Sequence, residues 1–375
     1  MLIFLSESVT SENLQYYGYE KTNSPFLTDM ILEEKIILFN NHYANSVSTQ
    51  FSMPMIFSGQ FTLERLNQPF IYDYLKKWRE INTFFISSQS YQTDNFDLVI
   101  NTSFDYFVCQ ENSGKERFND RGIDDNLLIN FFSNFIEEYY GKKFFGIIQF
   151  NNTHYPYKVS KEEFKLFKPA TPGSLNSFNN TIYEQDQLMK NYFDYLDQKG
   201  LLDSTIIIFI SDHGEAFSEH GHSGHLQTLY NEDIAVPLWI HLPISFDSLL
   251  RNSLKKNTHK PTSNLDLFPT ILELYKGLDH SKLNLQPQGE SLFSDFDTSR
   301  FIPVAGMDMI DTKALINNQY KFIVTNQNGK QTFELFDIQS DKSEVNNIWT
   351  LVDEKTRSEF LLEMKKLEHI KFKGF

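Results

Sequence analysis

Short runs of apolar residues, bounded by polar ones, recur along the chain. Three such runs, rich in Ile and Phe, are Leu2 to Leu5, Phe144 to Phe150 and Thr205 to Ile210. Runs of this length and composition predict buried strands. Between the last two lies a helical pattern over Ile182 to Gln198, which ends at Gly200. Strand, helix and strand in this order predict a mostly parallel sheet with helices on both faces.

Two further elements are predicted before the pattern changes. Val236 to His241 is expected to form another strand, and it leads into a polar stretch. A helix is then expected to open at Ser263 or Asn264 and to run to Tyr275. Both belong to the part of the chain that we expect to form the α/β sheet, residues 1–290.

After about residue 286 the pattern becomes that of an antiparallel hairpin. Its predicted strands are Lys313 to Thr325 and Gln331 to Ile338, with the turn at Asn328 and Gly329. Glu354 to Lys366 then predicts an amphipathic helix. Residues 291–375 are therefore expected to form a small antiparallel subdomain, packed on the first part.

Ionisable side chains follow several of the predicted strands. Glu7 follows the first, His154 the second, and Asp212 with His213 the third. Ligands of parallel sheets bind beyond the carboxyl ends of the strands. A carboxylate next to an imidazole suits Zn²⁺, although such a pair at a strand end is by itself more often an ordinary turn. The pattern predicts a candidate metal site at this edge.

Composition and charge narrow the class of protein. The chain has 375 residues with 36 Phe and 18 Tyr, enough apolar area for a large core. Its formal net charge of −15 argues against nucleic acid as the main partner, and a bound divalent cation would reverse the charge locally. Cys109 is the single cysteine, so no intramolecular disulfide can form.

The opening segment MLIFLSES lacks the basic residues and the length of a signal peptide. No other apolar run approaches the ~20 residues that a membrane-spanning helix needs. We therefore expect a soluble chain.

Three segments resemble the sulfatase and alkaline phosphatase superfamily, in the order in which that superfamily has them: SDHGE, SGHLQTLYNEDIAVPLWI and TSNLDLFPTILELY. Near the C-terminus, ELFDIQSDKSEVNNI is similar to the closing segment of sulfatase-type chains. The resemblance implies an alkaline-phosphatase-like α/β fold and a metal-dependent activity.

The opening ESVTSENLQYYGYEKTNSPFL resembles that of the phosphoethanolamine transferases, which begin with a metal-binding Glu. Their nucleophile is a Thr five residues before a Pro, and Thr49 stands five residues before Pro54. The spacing of the sulfatase nucleophile before a Gly also selects Thr49. The resemblance implies one Zn²⁺ per chain, with a second metal left open. The ligands that it implies are Glu7, Thr49, Asp212 and His213.

The sequence departs from both branches. A sulfatase needs a Cys or Ser followed by x-Pro-x-Arg for conversion to formylglycine, and the segment from Ser52 lacks that Arg. Arylsulfatase-type hydrolysis is therefore not expected. Thr10 stands where the transferases often have Arg, and their disulfide cysteines are missing. The C-terminal hairpin resembles sulfatases more than transferases.

The resemblance also implies residues around the substrate. His154 and His225 match histidines that contact the phosphoryl group or the leaving oxygen. Which of His220, His222 and His225 enters the site is left open, with His225 preferred and His222 second. Asn180 and Thr181 match a segment near the site and could contact substrate, or else cap a helix. Glu215 and Glu219 are expected to be solvated or to support the metal ligands.

The predicted activity is the transfer of phosphoethanolamine, or a similar phospho-substituent, through Thr49. The donor would be a phospholipid or another phosphodiester, and the acceptor a glycan or lipid. The alternatives are a phosphodiesterase, phosphomonoesterase or sulfatase-like hydrolase, and an inactive glycan-binding relative. By resemblance we expect the enzyme to act on the outer face of the cytoplasmic membrane, where a segment outside this sequence could contact the membrane. The alternative is a free-standing cytoplasmic enzyme.

Overall fold

The computed structural model describes residues 1–62, 70–79, 81–92, 100, 104–275, 287–306 and 311–368. The strands are β1 (Leu2–Ser6), β2 (Ile36–Phe39), β3 (His42–Tyr43), β4 (Asn82–Ser87), β5 (Tyr106–Val108), β6 (Phe144–Phe150), β7 (Ile207–Ser211), β8 (Ala216–Phe217), β9 (Ser223–Gly224), β10 (Leu238–His241), β11 (Thr262–Ser263), β12 (Ile302–Ala305), β13 (Asp311–Ile316), β14 (Tyr320–Gln327) and β15 (Lys330–Asp337). The helices are α1 (Pro25–Leu32), α2 (Thr49–Ser58), α3 (Ile71–Arg79), α4 (Leu128–Glu138), α5 (Leu175–Gln198), α6 (Asn231–Ile234), α7 (Ser248–Asn257), α8 (Leu267–Leu274) and α9 (Glu354–Lys365).

The central sheet has seven strands in the order β2-β10-β7-β1-β6-β4-β5. Strand β10 runs antiparallel to both of its neighbours, and the other adjacent strands are parallel. The predicted mostly parallel sheet is therefore confirmed. Because β1 lies between β6 and β7, the residues that follow these three strands meet at one edge, which we call the carboxyl edge.

Helices cover both faces of this sheet, as predicted. Side chains of β1 alternate between the faces, as the period of a strand requires. Ile3 and Leu5 pack with apolar residues of α2, α3, α7 and α8. Leu2 and Phe4 pack with those of α1, α4 and α5. A sheet buried on both faces explains why its strands read as continuous apolar runs.

Helix α5 begins at Leu175 and not at Ile182, so the predicted start was wrong. Ser174 is its N-cap and accepts a hydrogen bond from the backbone N–H of Ser177. The first turns are buried but carry polar side chains, among them Asn179, so apolar periodicity does not report them.

The C-terminal sheet is antiparallel, in the order β12-β13-β14-β15. The hairpin turn at Asn328 and Gly329 is confirmed, and both residues have the positive φ, 53° and 76°, that a tight hairpin turn needs. The predicted single strand from Lys313 to Thr325 is wrong, because the Asn317 side chain accepts from two backbone N–H groups and makes a turn there.

Helix α9 packs on this sheet, with the Phe360 and Phe322 rings 5.5 Å apart. Residues 369–375 of the predicted subdomain lie outside the described residues, and its boundary near residue 290 stays a prediction. No helix in the described ranges combines the length and apolar character needed to cross a membrane.

Candidate metal-dependent active site

Three candidate metal ligands meet at the carboxyl edge. Glu7 follows β1, while Asp212 and His213 follow the adjacent strand β7. One ligand atom from each lies within 4.8 Å of the others, and all three side chains are buried. Among the described residues, Asp212 Oδ2 is buried without a hydrogen-bond partner, and His213 Nε2 lies 3.5 Å from it. A buried carboxylate oxygen that accepts no hydrogen bond is costly unless a cation neutralises it, so these residues fit a bound divalent metal.

Local backbone contacts orient two of these ligands. Asp212 Oδ1 accepts from the backbone N–H groups of Ser8 (3.1 Å) and His213 (2.9 Å), which leaves Oδ2 for another group. His213 Nδ1 lies 2.9 Å from the carbonyl oxygen of Gly214. Because a carbonyl only accepts, Nδ1 carries a proton and Nε2 is the nitrogen available to a metal.

Thr49 places a hydroxyl against this cluster. It is the first residue of α2, with Ser48 as the N-cap. Its hydroxyl donates to Glu7 Oε1 at 2.9 Å and lies 3.2 Å from His213 Nε2. The start of a helix carries partial positive charge, which favours an anion at this position.

The charges of the cluster are strongly coupled. Burial lowers the pKa of His213, but the charges of Asp212 and Glu7 outweigh burial and raise it to about 10. Burial and the charge of Glu7 raise the pKa of Asp212 to about 6. Burial also raises the pKa of Glu7, but the hydrogen bond and charge of His213 outweigh it and hold that pKa below its ordinary value. A divalent cation would supply the charge of the His213 proton and displace it.

Two further histidines lie beside the cluster. The His225 ring is 4.3 Å from that of His213 and 6.3 Å from that of His154, measured between centroids. His225 Nδ1 lies 3.2 Å from Glu215 Oε1, and His154 Nδ1 lies 2.8 Å from the carbonyl oxygen of Tyr155. These contacts orient both rings and occupy Nδ1, so Nε2 of each is available for proton transfer.

The two histidines between the SDHGE segment and His225 have separate partners. His222 Nε2 lies 3.2 Å from Asp233 Oδ2, and His220 Nδ1 lies 2.7 Å from Glu232 Oε1. Both carboxylates belong to α6. The structure therefore brings His225, and not these two rings, against His213.

Asn180 and Thr181 lie in the interior of α5. The Asn180 side chain bonds to the backbone N–H and carbonyl of Phe167, at 2.8 and 3.1 Å. The Thr181 hydroxyl donates to the carbonyl of Phe178 at 2.7 Å. The interpretation of Asn180 as a helix cap is wrong, because Ser174 caps this helix. These contacts hold the neighbouring loop and leave the substrate role a prediction.

One residue of the site went unnoticed in the sequence. Gln89 Nε2 donates to Glu7 Oε2 at 2.7 Å. The residue stands two positions after β4, and the apolar run TFFIS could have indicated that strand and its polar continuation. Glu215, expected to be solvated or supporting, is 1 % exposed and contacts His225.

A mostly parallel central sheet with helices on both faces and a small antiparallel C-terminal sheet is the fold of alkaline-phosphatase-like enzymes. Residues 1–278 match the family model described as Sulfatase. The chain belongs to the sulfatase family, whose members include sulfatases, transferases and hydrolases.

Two curated relatives illustrate this range. Arylsulfatase K of Bos taurus is 28% identical over 187 residues, which are 47% of this chain and 33% of that protein. Phosphoethanolamine transferase EptA of Helicobacter pylori is 25% identical over 234 residues, 58% of this chain and 42% of that protein. The chain thus matches less than half of the length of either relative.

Solved structures show the same fold. The Bacteroides fragilis protein yidJ has a TM-score of 0.75 at 16% identity, covering 98% of this chain and 95% of its own. Phosphonate monoester hydrolase of Agrobacterium radiobacter has a TM-score of 0.69 at 13% identity, covering 98% and 95%. The soluble domain of lipooligosaccharide phosphoethanolamine transferase A from Neisseria meningitidis has a TM-score of 0.59 at 18% identity, covering 73% of this chain and 86% of its own.

Proposed function

We propose that the protein transfers phosphoethanolamine, or a similar phospho-substituent, from a phosphodiester donor to a glycan or lipid acceptor through a phospho-enzyme on Thr49. The observation that carries the proposal is the Thr49 hydroxyl, which donates to Glu7 Oε1 and lies 3.2 Å from His213 Nε2. A hydroxyl against two candidate metal ligands at the start of a helix is placed to act as a nucleophile.

In this proposal Glu7, Asp212 and His213 would hold a Zn²⁺ ion, and the Thr49 oxygen beside them would be a further ligand. Two carboxylates and one imidazole are a donor set that zinc accepts. A bound divalent cation lowers the pKa of a coordinated hydroxyl and so makes the nucleophilic oxygen available near neutral pH.

In the first half of the reaction the Thr49 oxygen, which has lost its proton to solvent, forms a bond to phosphorus, and the bond from phosphorus to the leaving oxygen of the donor breaks. The start of α2 offers partial positive charge to the phosphoryl oxygens. His154 or His225 gives a proton to the leaving oxygen, since Nε2 of either ring is available beside the cluster.

In the second half a hydroxyl of the acceptor forms the new bond to phosphorus, and the bond from Thr49 to phosphorus breaks. The imidazole that lost a proton in the first half takes one from the acceptor hydroxyl. The similarity to the phosphoethanolamine transferase of Helicobacter pylori supports this choice of transferred group.

A second candidate is hydrolysis of the same intermediate by water, as a phosphodiesterase, phosphomonoesterase or related hydrolase. The observation that favours hydrolysis is the share of this chain that the solved structures cover. The phosphonate monoester hydrolase matches 98% of this chain, whereas the transferase domain of Neisseria meningitidis matches 73%. A water molecule replaces the acceptor hydroxyl in the second half, with the same proton transfers.

The partners that follow from the proposal are a phospholipid or other phosphodiester donor and a glycan or lipid acceptor. These would meet at the outer face of the cytoplasmic membrane, where we place the activity. Nucleic acid is not among the expected substrates, since the chain has a formal net charge of −15.

The experiment is to incubate the zinc-loaded protein with phosphatidylethanolamine in detergent and then to map the modified peptide by mass spectrometry. An adduct on Thr49 that persists until a sugar acceptor is added supports the transferase. An adduct lost in buffer alone, with release of the free phospho-group, supports the hydrolase. An adduct on Ser48 or Ser52, or full turnover by Thr49→Ala, would refute the assigned nucleophile.

A further inference from the structure

The two oxygens of the Glu7 carboxylate have different partners. Oε1 accepts from the Thr49 hydroxyl and lies 3.5 Å from His213 Nε2. Oε2 accepts from Gln89 Nε2 at 2.7 Å, the shortest of these contacts. Gln89 follows β4, which is separated from β1 by β6, so its side chain reaches across one strand to Glu7.

A chain of buried side chains fixes the direction of the Gln89 amide. Gln89 Oε1 accepts from Gln149 Nε2 at 2.9 Å, and Gln149 Oε1 accepts from the Ser87 hydroxyl at 2.9 Å. Gln89 Nε2 also donates to Asn151 Oδ1 at 3.1 Å. Since the carbonyl end of Gln89 is already satisfied, its NH₂ group must face the carboxylate, which can only accept.

We propose that Gln89 is a positioning residue for the metal centre: it holds the Glu7 carboxylate by Oε2 so that Oε1 faces Thr49 and the bound cation. The amide carries no charge, so it orients Glu7 without neutralising it. A lysine or arginine at this place would pair with Glu7 and compete with the metal. The negative charge of Glu7 thus remains for the cation.

The hydrogen-bonded network of Gln89 and Gln149 also contacts helix α2, which carries Thr49. Gln149 Nε2 lies 3.9 Å from Sδ of Met53, in α2. Gln89, with 4% of its surface exposed, and Gln149, with 1%, are as buried as the ligands themselves. Buried polar networks whose members are all satisfied are rigid. The orientation of Glu7 and the position of Thr49 therefore depend on one network.

The test is the zinc affinity of Gln89→Met, measured by competition with a chromophoric chelator and without substrate. Methionine keeps the volume of the side chain and removes the donor. Loss of a group that orients a metal ligand weakens binding by roughly 10–100-fold, and we expect a loss of this size. Gln149→Met removes the bond that directs Gln89, so a smaller loss in the same direction is expected.

Gln185→Met is the matched control. Gln185 is also a buried glutamine. Its Nε2 donates at 2.8 Å to the hydroxyl of Ser6, the residue before Glu7, and not to the Glu7 carboxylate. We expect this variant to bind zinc as the unmodified protein does. Circular dichroism checks that each variant is folded. If Gln89→Met does not fold, Gln89→Asn takes its place, because it retains an amide that ends one methylene short of Glu7.

Unchanged zinc affinity in the folded Gln89 variant, or an equal loss in Gln185→Met, would overturn the role of Gln89. Neither outcome would touch the proposed transferase activity, because the unmodified protein would still bind zinc. Failure of the unmodified protein to bind zinc at all would instead refute the metal centre, and the positioning role with it.

Discussion

The hydroxyl of Thr49 lies 2.9 Å from Glu7 Oε1, although 42 residues separate them in the chain. Glu7 stands just past the central strand β1, and Thr49 opens helix α2 on one face of the sheet. The contact therefore joins the sheet edge and a helix start, the two places where a fold of this type provides ligands and positive charge.

Asp212→Ala and His213→Ala should each lower zinc affinity by orders of magnitude, because water cannot replace the charge and geometry of a buried ligand. Elemental analysis of the purified variants measures the bound zinc. His222→Ala is the control, since its ring pairs with Asp233 and should leave the zinc content unchanged. Undiminished zinc in both ligand variants would place the site elsewhere.

His154→Ala and His225→Ala should each reduce turnover by roughly 10²–10⁴-fold, the usual contribution of a general acid or base. Zinc content should stay near that of the unmodified protein, because both rings lie beside the ligands without belonging to them. Steady-state kinetics and elemental analysis are measured on the same samples. His220→Ala is the control, as its ring stacks on Tyr230 at 3.8 Å. Parallel loss of zinc and activity would mean that these histidines are ligands.

His42 should make the fold sensitive to acid. The His42 ring is buried between Thr262 and Asn264. Burial lowers the pKa of His42 from 6.5 to about 4. The folded state binds this proton less tightly than the unfolded state. Neutral His42 therefore contributes fully to the free energy of unfolding above pH 6.5. As the pH falls towards 4 this contribution is lost, and the free energy of unfolding decreases by about 3 kcal/mol.

Urea unfolding between pH 7 and pH 4 measures this effect. The loss of stability on acidification should be smaller in His42→Gln than in the unmodified protein. Both proteins carry the same metal-ligand cluster, so the difference between them isolates His42. Identical pH dependence in the two proteins would contradict the prediction.

Gly146→Ala should destabilise the central sheet. A methyl group at this residue of β6 would lie 1.9 Å from the ring of Phe84 on the adjacent strand β4. Overpacking of a core of this density costs roughly 1–3 kcal/mol, which thermal or urea unfolding detects. The same change in a Phe84→Leu background should cost less, because the ring is gone. An equal cost in both backgrounds would assign the effect to the backbone and not to the ring.

Local pattern was enough for much of the architecture. Phe144–Phe150 forms a strand with the predicted bounds, and the hairpin turn at Asn328 and Gly329 lies where its residue types place it. A run of apolar residues or a turn dipeptide is a property of neighbouring residues, so the sequence reports it directly. Placement of Glu7, Asp212 and His213 just after apolar runs likewise predicted that they would meet at one edge.

Other features depend on contacts between distant parts of the chain, and only the tertiary structure decided them. The sequence favoured His225 over His222 but left open which of His220, His222 and His225 enters the site, and pairing with the carboxylates of α6 draws His220 and His222 away from His213. Gln89 acquires its contact with Glu7 from 82 residues away. The sequence by itself determined several of the strands, the hairpin turn at Asn328 and Gly329, and which residues could bind a metal. The packing of β4, β6 and α2 decided which side chains reach those ligands, because hydrogen bonds between distant residues leave no periodic signal in the chain.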